Sequence, residues 1–420
     1  SRGEADKNML VPGSDAFKQA YFNATTVPIA KGGAAIEDNS MSNNFEVNYN
    51  ASDLVSGFDL QLGAQARQYV LRSGGSLFTD YDDPIKFSQL GVYTQVQKDL
   101  FNGVVKLTGS MRYDKSQFFD GQFTPRLGGL IFLSPNQNIR FSYQTGFQNP
   151  SSQDQYIGLD VGRAVLMGSS PDSVDRFKMS FVGSNFNQYT ITGPMVMSNS
   201  LLANEFLAGS FVPANLDPVE PQHVMSREFG YRFNGKKVSL DVSAYWSDFS
   251  NFIAAKNVIV PMYGSLANGS ALAALAAGDF KVFSVDNNTN EKVSTMGVTV
   301  GLETKVIDKF DFGATFSYNE MDRSNIDPNF DTGFNTPKVR TKFSLGSTEL
   351  ADNFAFNVSA RYHNEYLWES TFLNGTIPAM WTFDAAMNFD VPEINSKVKV
   401  GAVNFTGKDY MMMPGSGMIG

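Results

Sequence analysis

"LFNGVVKLTGSMRYDKS", Leu100–Ser116, opens on a Phe-Asn-Gly turn signal and then alternates. Val105, Leu107, Met111 and Tyr113 share one parity; Lys106, Thr108, Ser110, Arg112 and Asp114 share the other. Period two places successive side chains on opposite faces of a β-strand, one face apolar and one polar. The decisive question is whether the apolar face meets a packed core or hydrocarbon.

The pattern recurs along the chain. "NIRFSYQTGF" from Asn138, "KVSLDVSAYWSDF" from Lys237, "FDFGATFSYN" from Phe310 and "NFAFNVSARYHN" from Asn353 all alternate in the same way. About 14 strands are predicted by this reading. Tight turns are expected at "LFNGV", "SPNQN", "FNGKK", "IDKF", "ELADN" and "VPEINSK". Between them fall longer connections: Ser73–Ile85, Ser116–Phe123, Asn149–Gln222, Asn251–Lys292, Met321–Thr336 and Trp368–Ile377.

In a meander every second connection lies at the same end. Short turns at one end and long loops at the other mark an antiparallel up-and-down transmembrane β-barrel with periplasmic turns and extracellular loops. A soluble sandwich has no reason to sort its loops so. Strands of roughly 10 residues, at about 3.3 Å each and tilted, span a lipid band of about 25 Å. The expected fold is therefore all-β. Residues 1–44 read as loop, 45–148 as strands with short turns, 149–222 as one long extracellular loop, and 223–420 as the remaining strands and loops.

Composition agrees. The chain has 36 Phe, 16 Tyr, 37 Gly and no Cys among 420 residues, and a net charge of −9. With no basic stripe, nucleic acid is not an expected partner. No apolar run reaches the roughly 18–20 residues of a spanning helix, so a membrane role requires strands. A Ser-His-Asp or Cys-His arrangement needs a histidine, and only His223 and His363 exist; His363 reads as a polar wall residue and His223 as a solvated rim residue. An enzyme is not expected.

Candidate lumen residues follow from the polar parity: Arg112, Arg140, Gln144, Asp241, Tyr245, Arg340, Lys342, Arg361 and His363. They read as contacts to ligand or plug, or as charges pairing with one another along the wall. Tyr81, Tyr156 and Arg163 are candidate ligand contacts on the extracellular loops. Asp80, Asp82 and Asp83 in "FTDYDDP" form an oxygen-rich run that reads as a solvated loop, with a Ca²⁺ site as the alternative; no other cofactor is expected. The Asn149–Gln222 and Asn251–Lys292 loops carry apolar segments, "GPMVMSNSLLANEFLAGSFV" and "GSALAALAAGD". Both are expected to fold, the second as a short helix capped by Ser270, and together to form a vestibule for ligand.

Leu107–Gly162, with "GSMRYD", "FTPRLGGLIF" and "IRFSYQTGFQNPS", resembles the TonB-dependent outer-membrane receptors. "EPQHVMSREFGYRFNGKKVSLDVSAYWSDFSNFI" and "IPAMWTFDAAMNFDVPEINSKVKVGAVNFTGKDY" are similar to later strand–turn–strand units of that family. "RQYVLRSGGSLFTDYDDPIKFSQLGVYTQVQKDL" resembles the branch that carries a carboxypeptidase-regulatory-like N-terminal domain, to which the SusC-like receptors belong. The resemblance runs from about Phe45. Gln148 departs from it, standing where the family most often has Arg in a Gly-Phe-Arg-x-Pro run.

The resemblance implies a Gram-negative outer-membrane location and lipid contact. It implies uptake of a bulky nutrient (oligosaccharide, peptide, siderophore or cobalamin), energised by a periplasmic TonB-type protein acting through a plug. A surface lipoprotein partner is a further implication. Family barrels have about 22 strands, so a chain with about 14 reads as an internal fragment without plug, ending loop-like at "PGSGMIG". A passive porin-like channel and a soluble or surface glycan- or protein-binding β-protein are the alternative functions.

Overall fold

A computed structural model describes residues 9–27, 33–307, 309–370, 373–411 and 413–414. The ending "PGSGMIG" and the opening "SRGEADKN" lie essentially outside the described residues. Fourteen antiparallel strands form one sheet in strict sequence order. They are β1 (Met41–Asn50), β2 (Asp59–Leu71), β3 (Ile85–Leu100), β4 (Val105–Ser116), β5 (Gln122–Ser134), β6 (Gln137–Gln148) and β7 (Gln222–Asn234). The others are β8 (Val238–Ser250), β9 (Val293–Val306), β10 (Phe310–Asp322), β11 (Val339–Ala351), β12 (Phe354–His363), β13 (Met380–Val391) and β14 (Ser396–Ala402). Among the described residues β1 and β14 do not pair with each other, and no plug domain is evident.

The turns form where expected, and backbone geometry explains their residues. Phe101, Asn102 and Gly103 all take positive φ (53°, 55° and 85°) between β3 and β4, which hairpin turns require and Asn and Gly tolerate best. Asn353 and Asn395 do the same at φ 60° and 50°. Two expectations fail. The Ser116–Phe123 connection is only residues 117–121, no more than a turn. The first 44 residues are not all loop: Asp15–Thr26 is a helix, α1, with Ser14 Oγ accepting from Phe17 N, and β1 begins at Met41.

Register settles which residues share a face. Pairing Arg112 with Tyr93, Arg126 with Gln144, Arg232 with Asp241 and Lys342 with Arg361 puts the polar parity of every strand on one side. On the other side Leu90, Met111, Phe123, Phe229, Phe316 and Val400 stand 42–66% exposed, and no second sheet covers them. Leu107, Leu240 and Phe356 are likewise part-exposed. Toward the long-loop end this face carries an aromatic cluster in which Trp381 stacks near Tyr362, Phe343 and Phe383, with centroids 4.9–6.4 Å apart. An apolar face with interfacial aromatics, charged toward its loop end at Arg227, Asp248 and Glu320 and left uncovered among the described residues, is the lipid surface of a barrel.

The buried core lies elsewhere. The Asn149–Gln222 and Asn251–Lys292 connections interleave into one folded hub. Its sheet runs Leu201–Leu202, Phe252–Pro261, Phe280–Thr289, Val165–Met167, Gly158–Asp160, and Phe330–Asp331 joins from a third loop. Phe280–Thr289 pairs in parallel with Val165–Met167, so strands from different loops complete each other. Beneath them Met167, Phe177, Ile191, Val196, Val258 and Phe283 are at most 1% exposed. The expected loop helix exists as Leu272–Ala276, but Ala271 is its N-cap. Ser270 Oγ instead accepts from Ser265 N, closing the preceding turn.

Most of the strands are longer than the roughly 10 residues lipid demands, reaching 16 in β3. The excess belongs to the hub end, where Leu71, Ile85 and Phe87 join Phe78 and Tyr156 in a second buried cluster. Sheet and hub are therefore continuous.

Candidate functional site

The lumen candidates divide by what they touch. Arg140 presents its guanidinium fork to Asp241 at 2.8 and 3.0 Å, and Arg232 adds a third donor at 2.7 Å. Arg112 grips Asp114 at 2.6–2.9 Å, and Arg361 pairs with Asp384 at 2.8 Å. The Arg232–Asp241 and Arg361–Asp384 pairs join neighbouring strands, Arg140 reaches Asp241 across β7, and the Arg112–Asp114 pair lies within β4. Tyr245 donates to Asn319 Oδ1 at 3.1 Å, and His363 Nδ1 lies 3.0 Å from the Asn364 carbonyl. Arg340 and Lys342 are exposed and form no ion pair among the described residues, and Gln144 has no side-chain bond there. At the rim, Gln148 Oε1 accepts from Gln222 Nε2 at 3.2 Å, a neutral contact.

Glycine makes room for these side chains. A Cβ at Gly230 would lie 2.4 Å from Arg140 Nε, and one at Gly91 2.4 Å from Arg112 Nη2. The arginines lie flat across the neighbouring strand because those positions carry no side chain.

The loop candidates behave differently. Tyr156 is fully buried, stacked 6.0 Å from Phe87, and burial drives its phenol pKa upward. It is a core residue, and a ligand has no access to it. Tyr81 is mostly enclosed and burial pushes its pKa up to about 12; Lys178 Nζ stands 5.9 Å from its ring centroid. Arg163 lies exposed on the turn between Gly158–Asp160 and Val165–Met167. Sequence patterns could not separate the two tyrosines, since aromatic loop residues read alike whether they face water or a hub.

Asp80 and Asp82 of the acidic run are engaged within the protein. Asp80 accepts from Ser73 N and Oγ, Gly74 N and Gly75 N, tying its own loop, while Asp82 pairs with Lys178 at 3.1 Å. Among the described residues no group of three or more acidic or imidazole side chains could hold a metal.

Where the lumen wall meets the hub there is a cleft of about 670 Å³. Its wall is the polar face of β2–β6, including Arg67, Arg112 and Arg126; its roof is Asn149–Ser152 and Gln155. The roof is held in place by a short helix, Ser152–Tyr156. Ser151 Oγ accepts from Asp154 N at 3.1 Å, and Asp154 Oδ2 accepts from Ser151 N at 2.7 Å. Arg67 and Arg126 escaped the sequence reading, although both sit on the lumen parity, which a full parity count would have flagged. Gln155 had no sequence signal.

Side-chain bonds tie the hub to neighbouring loops and some of those loops to one another. Thr79 Oγ1 lies 3.1 Å from Ser173 Oγ, Asn329 donates to Glu205 at 2.9 Å, and Glu369 accepts from Arg323 at 2.7 Å and Thr332 at 2.8 Å. Within it Asp286 is largely withdrawn from water, and burial together with the nearby Asp154 raises its pKa to about 7.

An ordered meander, a bare apolar face, a polar wall and a loop hub over a cleft are now established. The family described as "TonB dependent receptor-like, beta-barrel" matches residues 8–405. The chain belongs to the TonB-dependent receptor β-barrel family. Its members are Gram-negative outer-membrane transporters, not enzymes, and no helix among this barrel's described residues is long and apolar enough to cross a membrane. The match begins well before Phe45, where the sequence resemblance starts.

Solved receptors share the barrel's fold. The siderophore receptor PirA from Acinetobacter baumannii is 11% identical with a TM-score of 0.56, over 88% of this chain and 50% of that one. A point mutant of the ferric enterobactin receptor PfeA from Pseudomonas aeruginosa is 12% identical, TM-score 0.59, over 88% and 48%. The FrpB iron transporter from Neisseria meningitidis is 12% identical, TM-score 0.54, over 88% and 51%. The receptor barrel thus spans about half the length of these relatives. No curated protein matches it in sequence.

Proposed function

We propose that this barrel belongs to a TonB-energised importer of a bulky, scarce nutrient, captured in the cleft between lumen wall and hub. The observation that carries the reading is the position of that cleft. Its wall is the lumen face, through which transport passes, and its roof is the hub, which a ligand meets first. At about 670 Å³ it is in the size range of sites that enclose small organic ligands. Siderophore and iron transport, the roles in the names of the similar receptors, lie within this class. Energy coupling through a periplasmic TonB-type protein is part of the same proposal. Import then rests on ligand binding one state of the receptor more tightly than the other.

The test removes the hub as a unit. Because the two loops share one core, deleting either exposes the other's apolar side; both are replaced together by short Gly-Ser linkers in the full-length receptor. Cells that depend on the receptor for growth on a limiting nutrient should lose growth while the barrel still assembles in the outer membrane. Growth at the parental rate would refute the reading. Growth unaffected by loss of the coupling protein would favour a passive channel.

A further inference from the structure

We propose that the cleft selects a polyanionic ligand that also carries hydroxyl or amide hydrogens, with Arg67 and Arg126 as the residues that set this choice. The inference rests on the proposed role of the cleft in ligand capture. Three arginines against one aspartate line it, a local excess of positive charge in a chain whose net charge is −9.

The three guanidiniums are not equivalent. Arg112 is neutralised by Asp114 and also donates to Gln65 Oε1 at 3.1 Å. Arg67 has only neutral partners, Tyr69 OH at 3.0 Å and Asn44 Oδ1 at 3.4 Å. Arg126 forms no ion pair among the described residues. Guanidinium forks match carboxylate and phosphate geometry. A neutral ligand filling the space would strip water from two cations and return no charge to them, which is costly.

The roof adds an independent demand. Gln155 is 1% exposed and its Nε2 donates to the Pro150 carbonyl at 2.7 Å, leaving Oε1 without a partner. Asn149 Oδ1, also on the cleft, is buried and unpartnered too. Two unpartnered acceptors on residues that line the same cleft as two cations without an ion pair among the described residues fit a ligand that presents both anionic oxygens and O–H or N–H donors. A plain anion would leave the roof unsatisfied, and a neutral sugar would leave the wall so.

The experiment uses the full-length receptor in detergent, with citrate, inositol hexakisphosphate and maltohexaose as probes in calorimetric titrations. At least one anion should bind at least tenfold more tightly than maltohexaose, and more weakly as salt rises. Citrate or the inositol phosphate as the tighter probe decides between carboxylate and phosphate. Arg67→Gln/Arg126→Gln should lower that affinity at least tenfold, and Lys281→Gln, a hub cation outside the cleft, should not. Absence of anion binding, equal binding of maltohexaose, or an unchanged double variant would overturn the proposal.

A Ser152→Trp variant, which fills the cleft from its roof, separates this inference from the one beneath it. Receptor-dependent growth that survives Ser152→Trp refutes capture in the cleft. Growth lost in Ser152→Trp, with anion affinity indifferent to the arginines, refutes only the choice of ligand.

Discussion

In the sheet, Leu90, Phe123 and Phe316 stand 60%, 66% and 42% exposed; in the hub, Phe177 and Phe283 are sealed at 1% and 0%. One chain thus carries two populations of phenylalanine with opposite environments. The sheet has no interior: hydrocarbon solvates one side and water the other. The hub stands clear of lipid and holds its loops by the ordinary hydrophobic effect. Apolar residues in the sheet therefore report on the solvent, and in the hub they report on packing.

The sharpest way to break this comparison is Phe283→Ala against Phe316→Ala in the intact receptor. The first should cost the hub about 3–5 kcal/mol, and the hub loops should become cleavable by protease at concentrations that spare the parent. The second, on the lipid face, should leave cleavage unchanged. Equal sensitivity would mean that the sheet face is also a packed core.

A charge probes the same contrast from the other side. Val300→Arg places a cation on the outward face between Val242 and Phe316, costing roughly 2–4 kcal/mol near the bilayer midplane. Thr299→Arg, one residue away on the lumen side, should cost well under that. Urea midpoints in lipid vesicles measure both, and reversal of their order would reverse the assignment of faces.

Acidity separates the regions next. Asp286 titrates near 7 in the folded hub against an ordinary 3.8, so the folded state binds its proton more tightly than the unfolded chain does. Its contribution is favourable below about 4, declines as pH rises, and is lost once pH passes about 7. With partial access to water the effect is roughly 2 kcal/mol. Protease resistance of the hub loops should rise between pH 7.5 and 5, and Asp286→Asn should flatten that slope. The lipid-facing strands should show no such dependence.

The smallest expected effect lies on the wall. Gly230→Ala forces Arg140 off the strand it crosses and should weaken the Arg140–Asp241 pair, lowering the urea midpoint by an amount equivalent to about 1 kcal/mol. If the parent and variant unfold together, the pair has no role in bracing the sheet.

How much of this was legible in the residues depends on the range of the interactions. Parity in "KLTGSMRYD" or "RFSYQTGF" is local, and it placed all nine lumen candidates on one face because a strand has a period of two. Asn102, Asn353 and Asn395 announced turns because left-handed backbone favours Asn and Gly. Tyr156 looked like a ligand contact, and Asp80 like part of a solvated acidic loop, yet both are buried. Tyr156 meets Phe87 only when strand ends and loops converge, whereas Asp80 folds back on the Ser73–Gly75 amides of its own loop, a turn that charge pattern does not reveal. Arg126 was readable by parity and overlooked; Gln155 was not readable at all.

By itself, then, the sequence determined the strand order, the sorting of short and long connections and the two faces of the sheet, since each depends on neighbours a few residues apart. Only the tertiary structure decided that two long loops build one core, that Arg140 and Arg361 are paired with distant aspartates while Arg67 and Arg126 have no acidic partner among the described residues, and that a cleft lies between wall and hub. Those outcomes join residues tens to more than a hundred positions apart, and no local pattern records which distant side chain will fill a gap or neutralise a charge.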